Sequence, residues 1–225
     1  MAGETFLSYT VRREYCTIAG RRFEMIWPAD MDAILNDPRT VERFRREEYM
    51  PYWATPWPSA MLLADYVLTE QPGRGGRAIE IGCGVGLVSV AAAAAGWSVL
   101  ATDYDADALR FAEENARLNG VKLAGASLLN WREVYEGEPY ELALASDVLY
   151  ERRNLVPVAC WIRSALAPNG VALVSDSNRS AAQGFADAAT AAGLDVDRLP
   201  REMIPTSGLV VRGIIYKLMR RTAAC

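Results

Sequence analysis

The sequence contains no histidine, which removes the side chain that most often does acid or base chemistry near neutral pH. Chemistry in this chain must rest on other groups or on a bound cofactor. The four cysteines, Cys16, Cys83, Cys160 and Cys225, are widely spaced and form no CxxC pair. That excludes a zinc signature or a disulfide framework and suits a reducing, cytoplasmic compartment with no metal centre. The first residues, MAGETFLSYTVRRE, lack a basic segment followed by an apolar one, so no signal peptide is expected. There is no basic excess either. A net charge of −4 over 225 residues argues against a nucleic-acid partner held by phosphate neutralisation. Arg12-Arg13, Arg21-Arg22 and Arg45-Arg46 each sit beside acidic residues and read as solvated surface. The most apolar stretch, AIEIGCGVGLVSVAAAAAGWSVLA at 78–101, is long enough to span a bilayer. Glu80 near its start and four glycines within it indicate a strand, a turn and a helix instead, with no membrane partner.

What is present is an ordinary globular composition, 51% hydrophobic and 23% charged, with enough length for one large core. Residues 1–56 read as an N-terminal extension. YTVRREYCTI and RRFEMIW flank Ala19-Gly20 as a hairpin, and a short helix is expected within 39–49. Residues 57–225 form the second unit. Ser59 is expected to cap a helix that ends before the GlnProGlyArgGlyGly loop at 71–76. Strands at 77–82, 98–103, 122–129, 140–146 and 170–176 then alternate with helices at 105–118, 155–167 and 180–192, and with an alanine-rich helix ending at Gly96. This alternation predicts an α/β fold whose mostly parallel sheet is covered on both faces. The last two strands, LDVDRL and RGIIYKLM, have only a loop between them and should pair antiparallel.

Between the first strand and first helix of that alternation stands Glu80-Ile-Gly82-Cys-Gly84-Val-Gly86. Glycines allow positive φ and close approach of a ligand to the backbone at the carboxyl edge of the sheet. A dinucleotide fingerprint is GxGxxG; here the third glycine comes one residue early and Leu87 takes its place. Glu80 would repel a pyrophosphate and attract a cationic amino-acid group. The next strand ends in Asp103, where a carboxylate can accept both ribose hydroxyls of an adenosine, a role that fits NAD as well.

These residues, with the closing hairpin, resemble the seven-stranded S-adenosylmethionine-dependent methyltransferases over roughly residues 55–220. The resemblance implies a Rossmann-like doubly wound sheet of order 3-2-1-4-5-7-6 with strand 7 antiparallel. It also implies that Glu80, Gly82, Gly84 and Gly86 face the methionine moiety while Asp103 holds the ribose. TrpProSerAla at 57–60, AsnTrpArg at 130–132 and AspValLeuTyr at 147–150 look like one branch of that family. This branch includes D-x-x-Y protein-lysine methyltransferases, among them those acting on the β subunit of electron-transfer flavoprotein, and the nicotinamide-N-methyltransferase-like proteins. Carried over, Trp57, Trp131 and Ser146 line the cofactor site, and Asp147 and Tyr150 meet the substrate. Asn130 stands where the family commonly has aspartate, and its amide could pair with the adenine edge. A tryptophan offers that ring a flat apolar wall; for Trp57, with Tyr52 and Trp53 beside it, the other reading is cover for the sheet edge.

Methyl transfer from a sulfonium is an in-line displacement on an activated electrophile, so the missing histidine is no obstacle. A lysine nucleophile with an ordinary pKa of about 10.4 costs about 4 to 5 kcal/mol to deprotonate at pH 7. A carboxylate at 147 would stabilise the ammonium further, so capture and aim is the role it suits, with Tyr150 walling the channel. By itself Asp147 reads as a cap on the turn before Leu155; beside the cofactor motif and its neighbours it reads as a substrate residue. The acceptor is either a protein lysine or a small amine. An extension that leaves the cofactor mouth open favours the first, and one that roofs it favours the second. An NAD-dependent oxidoreductase and a noncatalytic cofactor-binding module are the readings from other classes. Oligomeric state is not legible.

Overall fold

The computed structural model describes residues 4–221, apart from 72, 74, 206, 207 and 209. Cys225, the first three residues and two positions of the predicted 71–76 loop therefore lie outside the described residues.

The extension begins as an antiparallel meander of β1 (Thr5–Phe6), β2 (Tyr9–Ile18) and β3 (Arg21–Pro28). Ala19 and Gly20 turn the hairpin with φ of 50° and 74°, the two positive values that match the twist of paired strands. Two short helices follow. Asp30 caps α1 (Met31–Leu35), and Asp37 followed by Pro38 opens α2 (Pro38–Glu47), as expected of a carboxylate at N-cap and proline at N1.

The second unit opens with α3 (Pro58–Glu70). Strands β4 (Arg77–Ile81), β5 (Ser98–Asp103), β6 (Gly125–Leu128), β7 (Tyr140–Ser146), β8 (Leu166–Asp176), β9 (Leu194–Met203) and β10 (Val211–Arg220) follow. Between them run α4 (Leu87–Ala94), α5 (Ala106–Leu118), α6 (Leu155–Ala165) and α7 (Phe185–Ala191). The strands form one sheet in the order β6-β5-β4-β7-β8-β10-β9, with β10 antiparallel to both neighbours. Counted from β4, this is the expected order 3-2-1-4-5-7-6. Both faces are covered. Leu142 and Leu144 join the core that holds α3, α4 and α5, while Ala143 and Ala145 join the one that holds α6 and α7.

Some boundaries move. The third strand of the sheet starts at Gly125 rather than 122, because it is an edge strand with only β5 to pair with. The helix expected at 180–192 is interrupted: a 3-10 turn at Ser180–Ala182 gives way at Gly184 to α7. Ser59 is not the cap of α3. Trp57 holds that position without a side-chain bond, and Ser59 lies inside the first turn.

The extension is fastened to the core by α5. Alternate residues of β3 present backbone groups away from β2, an open edge. Asn115 takes the amide of Ile26 at 2.8 Å and donates to its carbonyl at 2.9 Å. One turn later, Asn119 does the same for Glu24, at 2.9 and 2.7 Å. Asn115 is fully buried and also donates to Val85 at 2.8 Å. Such bonds contribute about 0.5 to 1.5 kcal/mol each, and leaving the groups unpaired would cost more.

Candidate active site

The carboxyl ends of β4, β5 and β7 open into a cleft of about 390 Å³. Its floor is the glycine loop. Gly82 and Gly84 turn with φ of 66° and 52°, a region costly for other residues. A Cβ on Gly82 would stand 2.8 Å from Val148 Cγ1, and one on Gly84 3.3 Å from the Trp53 carbonyl. Gly86 serves packing instead: a Cβ there would meet that of Ala112 on α5 at 2.6 Å, and Gly86 does not line the cleft.

Glu80 is fully buried and does not line the cleft either. One of its oxygens accepts a hydrogen bond from the Ser89 hydroxyl, and the other, Oε1, has no partner. Burial pushes its pKa up to about 8; the Ser89 bond opposes this and the charge of Asp103 adds to it. At pH 7 Glu80 is therefore mostly protonated, and a nearby cation would favour its charged form.

Asp103, the last residue of β5, lines the cleft. Its two oxygens accept from the amides of Asp105 at 3.0 Å and Gly84 at 2.9 Å, leaving an acceptor position on each. Burial raises its pKa to about 6, against the pull of those two amides. Trp131 is buried on the cleft wall beside Gly82, with its Nε1 unpartnered. Ser146, at the end of β7, is on the wall too. Asn130 is not on that wall: its side chain closes its own turn, accepting from the Arg132 amide at 3.1 Å and donating to Glu133 at 3.2 Å.

At the other end lie Asp147, Tyr150 and Trp57. Asp147 has φ of 56° and a nearly buried carboxylate whose partners are all within the chain. Oδ2 accepts from the Ser59 amide at 3.0 Å and hydroxyl at 2.5 Å. Oδ1 faces Ser177 at 3.3 Å and pairs with Arg179 at 2.8 Å. Asp147 thus caps α3, not α6. The guanidinium of Arg179 also stands 5.2 Å over the Trp57 ring and lines the cleft. Trp57 donates to the Tyr52 carbonyl at 2.7 Å. The Tyr150 ring lies 4.8 Å from that of Tyr52, inclined at 58°. Burial, with Glu151 nearby, pushes the Tyr150 pKa to about 12, so its hydroxyl keeps its proton.

Eight of the expected residues meet in this cleft: Trp57, Gly82, Gly84, Asp103, Trp131, Ser146, Asp147 and Tyr150. Sequence reasoning missed Tyr49, Arg179 and the Glu48–Arg153 pair, and named Tyr52 and Trp53 only as neighbours of Trp57, whose other reading was edge cover. The polar run that ends β8 and follows it, SerAspSerAsnArg at 175–179, stands at the edge where such sheets bind ligands and was the available signal for Arg179. The extension forms one wall, through Tyr49, Tyr52 and Trp53. At the exposed rim Glu48 bonds to Arg153 at 2.6 Å, joining the extension to the segment after β7.

The site fits an adenosylated amino acid. Asp103 offers free acceptor positions, Trp131 an apolar wall beside the glycine turn, and Glu80 an orphaned carboxylate oxygen beneath it. Among the described residues, no cluster of three or more His, Cys, Asp or Glu side chains is placed to hold a metal ion, and no helix is long and apolar enough to cross a membrane.

Comparison with known proteins agrees with this architecture. The electron transfer flavoprotein beta subunit lysine methyltransferase of Xenopus laevis is 34% identical over 134 residues, covering 58% of this chain and 54% of that protein. EEF1A lysine methyltransferase 3 of Mus musculus is 29% identical over 130 residues, covering 55% of each. The chain spans about half the length of these relatives. In fold, a SAM-dependent methyltransferase from Methanosarcina mazei superposes with a TM-score of 0.56 at 15% identity, over 67% of this chain and 95% of that one. Residues 53–188, more than half of the chain, match the family described as lysine methyltransferase, and the protein belongs to that family.

Proposed function

We propose that the protein is an S-adenosylmethionine-dependent N-methyltransferase whose acceptor is a lysine side chain of a protein. The observation that carries this reading is the meeting, in one cleft, of the Gly82–Gly84 turn, Asp103 and Trp131 with the Asp147–Tyr150 segment. Two relatives whose names specify lysine methylation support the acceptor class.

Bound in the cleft, the cofactor supplies a methyl group on a positively charged sulfur. Asp103 would accept the ribose hydroxyls, Trp131 would wall the adenosyl moiety, and Ser146 would flank it. Glu80 would answer the cationic amino-acid end from beneath the loop, giving up its proton as that charge arrives. The protein's remaining task is to hold a neutral amine in line and dry.

Asp147 and Tyr150 are assigned to the acceptor end. The Tyr150 hydroxyl, protonated at working pH, can accept from the amine while its ring and that of Tyr52 narrow the entry. Asp147, whose oxygens are taken by Ser59, Ser177 and Arg179, would act on the amine through its charge and by fixing the turn that leads to Tyr150, from a carboxylate already paired with Arg179. That pairing relieves the difficulty of an aspartate beside a lysine, because a neutralised carboxylate stabilises an ammonium less. A small amine is the second reading, and the wall built by Tyr49, Tyr52 and Trp53 favours it. A lysine tip passing the Glu48–Arg153 rim is compatible with the same wall.

The reading includes a cytoplasmic location, supported by Cys16, Cys83 and Cys160 being free thiols. Transfer of radiolabelled methyl groups from S-adenosylmethionine into a native lysate, with mass identification of the product, tests the proposal. Label on protein lysines is expected. Label confined to small amines replaces the acceptor, and no label with intact cofactor binding removes the activity.

A further inference from the structure

Two carboxylates stand two residues apart on the turn between β5 and α5, and they face different ways. Asp103 faces the cleft. Asp105 faces the extension and caps α5 through the Asp107 amide at 2.9 Å. Its Oδ2 takes the guanidinium of Arg43 at 2.7 Å and a hydrogen bond from the Tyr49 hydroxyl. Asp105 is nearly buried.

Around this point the extension closes on itself. Arg43 stacks 3.4 Å over the Tyr49 ring, and Trp53 donates to the Tyr49 hydroxyl at 3.1 Å. Tyr104, between the two carboxylates, donates to Glu47 at 3.1 Å. The Trp53 backbone then lies directly on Gly84, close enough that its carbonyl would stand 3.3 Å from a Cβ there. A closed circuit results: Gly84 to Asp103, Asp103 to the Asp105 amide, Asp105 to Tyr49 and Arg43, Tyr49 to Trp53, and Trp53 back onto Gly84. Both the ribose-facing carboxylate and the glycine turn belong to it.

We propose that Asp105, Arg43 and Tyr49 are positioning residues that couple docking of the extension to cofactor binding. The proposal rests on the S-adenosylmethionine reading of the cleft. Holding Asp105 fixes the turn that presents Asp103, and docking of residues 43–53 completes the wall against the glycine loop. Such coupling is reciprocal: a ligand that favours the closed circuit is favoured by it to the same extent. Arg43 is the informative member because it lines no part of the cleft. Any effect of Arg43 on cofactor affinity must travel through its neighbours: Asp105 and Tyr49, or the more distant Glu47 at 3.4 Å and the Tyr104 ring at 5.6 Å.

The test is calorimetric titration of the full chain with S-adenosylhomocysteine, together with hydrogen exchange of the amides in 38–57 in its presence and absence. Arg43→Met and Tyr49→Phe are each expected to weaken binding about five- to tenfold, the lower range of measured couplings. The double variant should be little worse than either, since both break one circuit, and Arg43→Lys should recover part of the loss. S-adenosylhomocysteine should slow exchange in 43–53 of the wild type, and less in Arg43→Met. Binding of equal strength in the wild type and all variants, or exchange in 43–53 that ignores the ligand, overturns the coupling alone. Failure of the folded wild type to bind S-adenosylhomocysteine overturns the cofactor reading and the coupling with it.

Discussion

Asp147, the aspartate of the D-x-x-Y motif, caps the helix that starts beside Ser59, accepting from the Ser59 amide at 3.0 Å and hydroxyl at 2.5 Å. It does so while bonded through its other oxygen to Arg179 at 2.8 Å. A residue assigned to the acceptor is therefore also part of the frame.

That double duty predicts a stability cost. Asp147→Ala removes a helix cap and leaves Arg179 facing Asp176 without its nearer partner. The expected loss is about 3 kcal/mol, or roughly 6 to 12 °C in melting temperature for a chain of this size. Asp147→Asn keeps an acceptor for Ser59 and should lose less than half of that. An alanine variant that melts with the wild type would refute the capping role.

Glu80 makes stability depend on pH. Its folded pKa of about 8 lies above the ordinary glutamate value of 4.5, so between those values the folded chain binds more protons than the unfolded one. Stability then falls as pH rises through that window. Asp103, raised to about 6, acts in the same direction at its lower end. Glu80→Gln should remove the slope between about pH 6 and 8 and leave the lower part. Melting temperatures across that range, measured without cofactor, check this; parallel curves for both proteins would contradict it.

Neighbouring polar residues separate the cleft from its surroundings. Asp103→Asn loses a charged acceptor and is expected to weaken S-adenosylhomocysteine binding by about 10- to 100-fold, from about 1.5 to 3 kcal/mol for such hydrogen bonds. Asn130→Ala should change affinity less than twofold, because its amide is spent within its own turn. Calorimetry on the two variants would reverse the assignment if Asn130 mattered more.

Tyr150→Phe removes a hydroxyl and keeps the ring beside Tyr52. The expected result is a loss of up to about tenfold in kcat for methyl transfer, the worth of one hydrogen bond, with melting temperature and S-adenosylhomocysteine affinity unchanged. A kcat equal to that of the wild type would leave Tyr150 as packing only.

Much of this architecture is local in origin and so was legible early. The strands from 77 to 176 announce themselves by apolar runs and the helices between them by amphipathic spacing. The antiparallel β9–β10 pair follows from the short connection between them. Gly82 and Gly84 are readable because a turn with positive φ needs them wherever the rest of the chain goes. Asp103 is readable because it ends a strand at the edge where these sheets bind ligands. Gly86 belonged to the same motif on paper, yet its neighbour is Ala112, a residue of the next helix.

The glycine turn and the strand-end carboxylate were thus legible in the sequence alone, since each depends on residues close together in the chain; the order of the sheet, which pairs Ala78 with Leu142, was expected only from the family resemblance. Tertiary structure decided what the polar groups do. Ser59 lies 88 residues from Asp147, and Arg43 lies 62 from Asp105, so no local pattern reveals either bond. The same holds for Glu80, sealed under its loop, and for the aromatic wall at 49–53. A carboxylate takes whichever donor folding brings within about 3 Å, and burial then sets its charge.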